Sequence, residues 1–140
     1  MKIEAMTPAD YDEVRALWLS CEGVGLDDRS DSREQIHFYL QRNPGLSQVV
    51  RHEGHIIAAI LCGHDGRRGY LSHLAVQIEH RRSGVGRRLV DLCLRKLAAA
   101  GLPGCNIRLY RSNAAGREFW RNVGWRTLDV EEWIADCPSD

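Results

Sequence analysis

The chain has 140 residues, which is the usual length of one domain, and no internal segment has the composition of a linker. Apolar residues make up 44% of the chain and charged residues 27%, so a folded core is expected and disorder is not. The formal net charge is zero, from 19 basic and 19 acidic residues, and this balance argues against a nucleic-acid binder. We therefore predict a single domain over residues 1–140 with no nucleic-acid partner.

Cysteine usage and hydropathy predict the cellular setting. The cysteines are odd in number and form no C-x-x-C pair, so neither a zinc site nor a disulfide framework is predicted. The N-terminus carries no apolar signal region, and no stretch of about 18 apolar residues occurs. We expect a cytoplasmic protein with no bound metal and no membrane partner. The cysteines are Cys21, Cys62, Cys93, Cys105 and Cys137.

Apolar spacing and capping residues predict five elements in the first half of the chain. Thr7 can cap a helix that begins with Pro8, and Gly54 marks a hairpin turn between two apolar runs. A glycine-rich, acidic loop at residues 21–31 separates two helices. The predicted elements are a strand at residues 2–6, helices at residues 8–20 and 32–41, and strands at residues 46–52 and 55–62.

The second half of the chain predicts five more elements, and the whole order is β-α-α-β-β-β-α-β-α-β. This order is typical of a mixed α/β sheet domain whose hairpin region is antiparallel. The predicted elements are a strand at residues 70–76, a helix at residues 84–100, a strand at residues 105–110, a helix at residues 113–122 and a closing strand at residues 125–134.

Residues 74–89 place a strand, a turn with two glycines and a helix start in succession. Gly84 and Gly86 let a ligand approach the backbone, and the first N–H groups of a helix have no partner within it. Cations at this positive helix end are disfavoured by roughly 0.3–1 kcal/mol each, and a bound polyanion removes the conflict. A solvated basic loop before a surface helix is the alternative. The cations are Arg81, Arg82, Arg87 and Arg88.

Two motifs indicate which polyanion is bound. The dinucleotide fingerprint fails because Leu89 occupies its third glycine position, and the nucleotide P-loop pattern is absent. Arg81-x-x-Gly84-x-Gly86 resembles the R/Q-x-x-G-x-G/A signature of the GNAT N-acetyltransferase superfamily. Residues 113–125 resemble the later N-x-x-A-x-x-F-Y-x-x-x-G-F segment of that superfamily, and the order of elements also matches. By this resemblance the chain is identified as a GNAT member.

The resemblance implies acetyl-CoA as co-substrate, with pantetheine in a gap between the fourth and fifth strands. The acceptor amine would attack the thioester directly in a ternary complex, and the N–H of Val76 would polarise the thioester carbonyl. Asn113 matches the asparagine that contacts the pantetheine arm, and Gly116 matches a small residue near it. The implied cofactor-binding residues are Leu74, Ala75, Val76, Arg81, Arg82, Ser83, Gly84, Val85, Gly86, Arg87, Asn113, Gly116 and Trp120.

The general acid departs from the family pattern. Trp120 stands where the family commonly has an acidic tyrosine, and an indole is a hydrogen-bond donor but not a usable acid. Two interpretations of Trp120 stay open, core packing beside Phe119 and lining of the acyl site. Tyr110 is an alternative source of a hydroxyl group. The missing tyrosine also favours an alternative function, a non-catalytic acyl-CoA-binding sensor module.

Two residues are candidate general bases, because an amine must lose a proton before it attacks. Glu22 follows the first helix, in the loop where this family usually shapes its acceptor pocket. His73 lies on the strand beside the acetyl position, although a strand histidine is more often structural. The acceptor is expected to be a small-molecule or peptide amine. Strand edges in this family often pair, so a homodimer is an option.

Overall fold

A computed structural model describes residues 1–139 and contains nine main elements. Two short 3-10 turns, Pro8–Asp10 and Ile78–His80, precede α1 and follow β4. The predicted mixed α/β fold is confirmed. The elements are β1 (Lys2–Ala5), α1 (Tyr11–Leu19), α2 (Arg33–Arg42), β2 (Gln48–His52), β3 (His55–His64), β4 (Gly69–Val76), α3 (Val85–Ala99), β5 (Cys105–Ile107) and α4 (Ala114–Asn122).

The five strands form one sheet in the order β1-β2-β3-β4-β5. Neighbouring strands from β1 to β4 are antiparallel, whereas β4 and β5 are parallel. The parallel pair follows from the connection, because α3 carries the chain back across the sheet between β4 and β5. No helix in the part of the chain that the structure describes is long and apolar enough to cross a membrane.

Helices cover both faces of the sheet and enclose two apolar clusters. The first cluster lies under α1 and α2 and contains Trp18, which is fully buried. The second lies under α3 and contains Leu89 and Cys93. β3 runs between the clusters and is buried from Ile56 to Gly63, as expected of a central strand covered on both faces.

Local signals set the helix starts within one turn of the predicted positions. Ser32 caps α2, since its side chain accepts a hydrogen bond of 3.2 Å from the N–H of Gln35. The Thr7 N–H donates to the Asp10 carboxylate (2.9 Å), and α1 begins only at Tyr11 because a 3-10 turn comes first. Asp10 also accepts a hydrogen bond from Arg51, which fastens this turn to β2.

The predicted closing strand at residues 125–134 is wrong, because this segment forms no strand in the structure. Trp133 and Ile134 are 85% and 83% exposed. The neighbouring edge strand β5 has only three residues and ends at Ile107, short of the predicted Tyr110, so it provides little backbone to pair with. Three acidic residues also interrupt the apolar run. They are Asp129, Glu131 and Glu132.

Four of the free cysteines contribute to the core, Cys21 in the first cluster and Cys62, Cys93 and Cys105 in or against the second. Cys62 and Cys93 are fully buried among apolar side chains. A hydrogen bond with Cys93, together with burial, raises the pKa of the Cys62 thiol. Burial likewise raises the pKa of the Cys105 thiol to about 12. The thiols of Cys62 and Cys105 therefore stay protonated at neutral pH and behave as small apolar side chains.

Candidate active site

The sheet opens between β4 and β5. The two strands pair only from Gly69 to Leu71 on the β4 side, whereas β4 continues to Val76. The N–H of Gln77 donates to the Ile57 carbonyl (2.8 Å), on the β3 side. Because backbone groups alternate in direction along a strand, Val76 turns its N–H and C=O away from β3, toward the gap. The end of β4 thus presents an unpaired backbone edge.

A β-bulge lies just before this edge. The β3–β4 register shifts between Ala59 and Leu61, so that two residues of β4 lie opposite one residue of β3. His73 lies in the bulge with a φ of 51°, a left-handed conformation that costs a residue other than glycine roughly 1–2 kcal/mol. Such strain persists only where the surroundings hold it, and it often marks a functional site.

The His73 side chain is held by the loop at residues 21–31, which we call the acceptor loop. Its Nε2 lies 2.8 Å from Asp31 Oδ1, and the other oxygen of that carboxylate accepts the N–H of Asp27 (2.9 Å). The ring also meets Trp18 edge to face, at 4.9 Å between ring centroids. His73 is therefore bound into the α1/α2 side of the sheet.

The turn before α3 carries a row of N–H groups without acceptors. None of the N–H groups of residues 82–87 donates a hydrogen bond within residues 1–139, and the first helical bond is from the Arg88 N–H to the Gly84 carbonyl (3.0 Å). Arg82 and Gly84 both have left-handed backbones, with φ of 63° and 85°. Space is open beside Gly84, where an added Cβ would meet nothing within 4 Å. These features form a backbone concavity that suits an anion.

Arg81, the first arginine of the motif, turns back toward β4. Its Nε donates to the Val76 carbonyl (2.9 Å), and its Nη2 lies 3.6 Å from Cys21 Sγ. The Ser83 hydroxyl donates to the His80 carbonyl and closes the turn. The side chains of Arg82 and Arg87 form no hydrogen bond or ion pair with another described residue.

Gly86 of α3 packs against Phe119 of α4, and Trp120 belongs to an aromatic cluster at the end of α4. A Cβ on Gly86 would lie 3.3 Å from Phe119, so a side chain here would require the Phe119 ring to move by a few tenths of an ångström. Trp120 packs edge to face between Phe119 (5.2 Å) and Trp125 (4.8 Å). These contacts favour the packing interpretation of Trp120 over a role at the acyl group.

A cleft of about 360 Å³ lies between the acceptor loop and the start of α4. Asn113 caps α4, because its Oδ1 accepts the Gly116 N–H (2.8 Å). The Asn113 Nδ2 is thereby left to donate elsewhere. A Cβ on Gly116 would lie 2.6 Å from this nitrogen, so the position needs a small residue. The lining residues are Glu22, Gly23, Tyr110, Ser112, Asn113, Ala114 and Ala115.

Comparison with known proteins decides the family. The sequence model of the acetyltransferase (GNAT) family matches residues 11–125. The chain belongs to the GNAT family. An acetyltransferase of Yersinia enterocolitica, YE1169, is 30% identical to this GNAT protein over 130 residues, which is 93% of this chain and 91% of the relative. The protein is thus an N-acetyltransferase enzyme.

Solved structures share the GNAT fold at low sequence identity. The aminoglycoside 6'-N-acetyltransferase AAC(6')-Ig of Acinetobacter haemolyticus superimposes with a TM-score of 0.80 at 16% identity, over 99% of this chain and 100% of that one. The PaiA N-acetyltransferase of Thermoplasma acidophilum, solved with coenzyme A, gives a TM-score of 0.79 at 15% identity, over 93% and 92% of the two chains.

Sequence reasoning missed several contacts of this GNAT site. Glu22 and Tyr110 line the cleft, but His73 does not, so the two candidate bases lie in different surroundings. The pairing of Asp31, in the acidic loop, with His73 on β4 was not predicted. The contact between Cys21 and Arg81 was also unforeseen. No local pattern signals these pairs, because loop and strand meet only after folding.

Proposed function

We propose that the protein transfers an acetyl group from acetyl-CoA to a primary amine, which attacks directly in a ternary complex. One observation carries this proposal: an unpaired strand edge ends beside a turn whose N–H groups have no acceptor. The edge suits an extended, amide-bearing pantetheine arm, and the turn suits a pyrophosphate. When bound, acetyl-CoA would supply an activated thioester. The edge of β4 and the turn before α3 fit this co-substrate.

Each part of the co-substrate has candidate partners in the chain. Leu74 offers outward backbone groups and Val76 an outward N–H, since the Val76 carbonyl already accepts from Arg81. Ala75 pairs with β3 and packs into the core. The backbone of residues 82–87 would hold the pyrophosphate, with the free guanidinium groups of Arg82 and Arg87 beside it. Asn113 Nδ2 is a donor for the pantetheine arm. Among the implied residues, Gly86, Gly116 and Trp120 support this site by packing.

The cleft is the proposed binding site of the acceptor amine. Glu22 is exposed there, and its carboxylate would attract a protonated amine and then help to remove a proton. The Val76 N–H at the open edge is a fixed donor for a carbonyl oxygen. We propose a small-molecule or peptide amine as the acceptor, in the cytoplasm, with the chain acting as one domain that is able to form a homodimer.

The alternative function, a non-catalytic acyl-CoA sensor, rests only on the tyrosine that Trp120 replaces, and the family assignment argues against it. Two assays test these functions: the first tests acetyl-CoA binding, which both require, and the second separates them. Acetyl-CoA at a hundredfold excess over its dissociation constant should stabilise the fold by about 2.7 kcal/mol. An enzyme also releases free thiol with a panel of amines, whereas a sensor binds without turnover. A melting temperature unmoved by millimolar acetyl-CoA, with calorimetry also silent, contradicts both.

A further inference from the structure

Three residues meet where the end of β4 approaches the acceptor loop. Arg81 Nε donates to the Val76 carbonyl at 2.9 Å, and Arg81 Nη2 lies 3.6 Å from Cys21 Sγ. The thiol in turn lies 3.8 Å from the same carbonyl oxygen. We call Arg81, Val76 and Cys21 the Arg81 node. The node joins two segments that are 60 residues apart in the chain, Cys21 and Arg81.

The Val76 carbonyl places the Arg81 node at the strand edge proposed to bind the co-substrate. That carbonyl belongs to the unpaired edge, on the side of β4 that faces the gap. Cys21 is buried and directly precedes Glu22, which lines the cleft. The guanidinium thus contacts the strand of the co-substrate site and the first residue of the acceptor loop. Nε and Nη2 lie on the same edge of the planar guanidinium group, so arginine can donate to two neighbouring acceptors at once. Lysine has no such pair of donors.

We propose that the Arg81 side chain is a positioning residue that holds the Val76 peptide and the start of the acceptor loop, and is not a phosphate ligand. This inference rests on the proposed function. Arg82 is the contrasting residue, because it lies in the same turn with its side chain unbonded to any other residue from 1 to 139. Phosphate recognition falls to Arg82 and to the backbone N–H groups of the turn.

The two roles differ in how they depend on phosphate. A side chain that pairs with phosphate stabilises coenzyme A but not pantetheine, which carries no phosphate. A side chain that holds the Val76 peptide acts on both ligands equally. It also affects transfer, because misplaced groups at a reacting centre lower kcat. The ratio of the two dissociation constants therefore separates the roles without an activity measurement.

The test compares Arg81→Met with Arg82→Met, using coenzyme A and pantetheine as calorimetric probes. For Arg82→Met we expect about tenfold weaker coenzyme A binding with pantetheine unchanged. For Arg81→Met we expect the ratio of the two affinities to stay within about twofold of wild type, while kcat/KM for the amine falls about tenfold. Arg81→Lys should restore kcat/KM only in part, because lysine makes one of the two contacts.

Other results overturn the proposal. If Arg81→Met weakens coenzyme A selectively, as Arg82→Met does, Arg81 is a phosphate ligand. If kcat/KM is unchanged, the node has no role in transfer. Arg81→Gln serves as a second variant if Arg81→Met does not fold, and the same ratio decides. If the wild-type protein does not bind coenzyme A, the proposed function itself is wrong. A contrary result in the Arg81 variants alone overturns only the role assigned to Arg81.

Discussion

Gly25 packs directly against Tyr110, because a Cβ added to Gly25 would lie 2.1 Å from the Tyr110 hydroxyl oxygen. Gly23 approaches Asn113 in the same way, with its added Cβ 2.6 Å from Nδ2. The acceptor loop and the segment before α4 thus touch through glycines. This contact brings Glu22 and Tyr110 to the same cleft.

We expect Gly25→Ala to displace either the loop or the Tyr110 ring. Gly25 does not have a left-handed backbone, so alanine changes the packing and not the allowed conformation. The displaced cleft should lower kcat/KM for the amine at least about tenfold. Tyr110→Ala makes room for the methyl group, so Gly25→Ala should have little further effect in that background. Equal losses in both backgrounds would show that the contact is irrelevant.

The turn before α3 can be tested at Gly84. Gly84→Glu should abolish coenzyme A binding, because the side chain and its negative charge enter the concavity of free N–H groups. Gly84→Ala is the matched control, since both variants pay roughly 1–2 kcal/mol for a left-handed backbone. Calorimetry should find binding lost only in the glutamate variant. Near-wild-type affinity of that variant means that phosphates bind elsewhere.

Glu22→Gln tests the acceptor side. Loss of the carboxylate should lower kcat/KM for the amine at least tenfold, which corresponds to about 1.4 kcal/mol of transition-state stabilisation. The dissociation constant of acetyl-CoA should change by no more than about two- to threefold, because no phosphate contact is altered. Asp28→Asn is the control, an exposed acid of the same loop outside the cleft lining. A parallel loss for both substrates would instead indicate a structural effect.

Trp120→Phe separates packing from acid catalysis. The pH–rate profile should keep its alkaline limb, because an indole does not titrate there. The melting temperature should fall, since aromatic pairs contribute about 0.5–1.5 kcal/mol each and Trp120 makes two such contacts. Trp125→Phe, in the same cluster, should behave alike. Loss of the alkaline limb of the pH–rate profile in Trp120→Phe alone would show that Trp120 takes part in catalysis.

The sequence predicted the nine main elements that form, with ends displaced by a few residues, and one strand that does not form. The prediction at residues 125–134 failed because apolar spacing measures the tendency to be buried, whereas a strand also needs a partner edge. β5 ends at Ile107 and provides only a short one. The turn at Gly84 was predictable, because a glycine just before a helical pattern is a local signal of a turn. The structure gives this glycine a left-handed backbone.

The sequence by itself determined the family, the order of the main elements and the glycine turn before α3, because caps, periodicity and glycine conformation act over a few residues. Only the tertiary structure decided which side chains meet across the site. Asp31 and His73 are 42 residues apart, and Arg81 finds its partner 60 residues away at Cys21. Such contacts form when helices and sheet pack together, and the bulge at His73 re-aims the strand there.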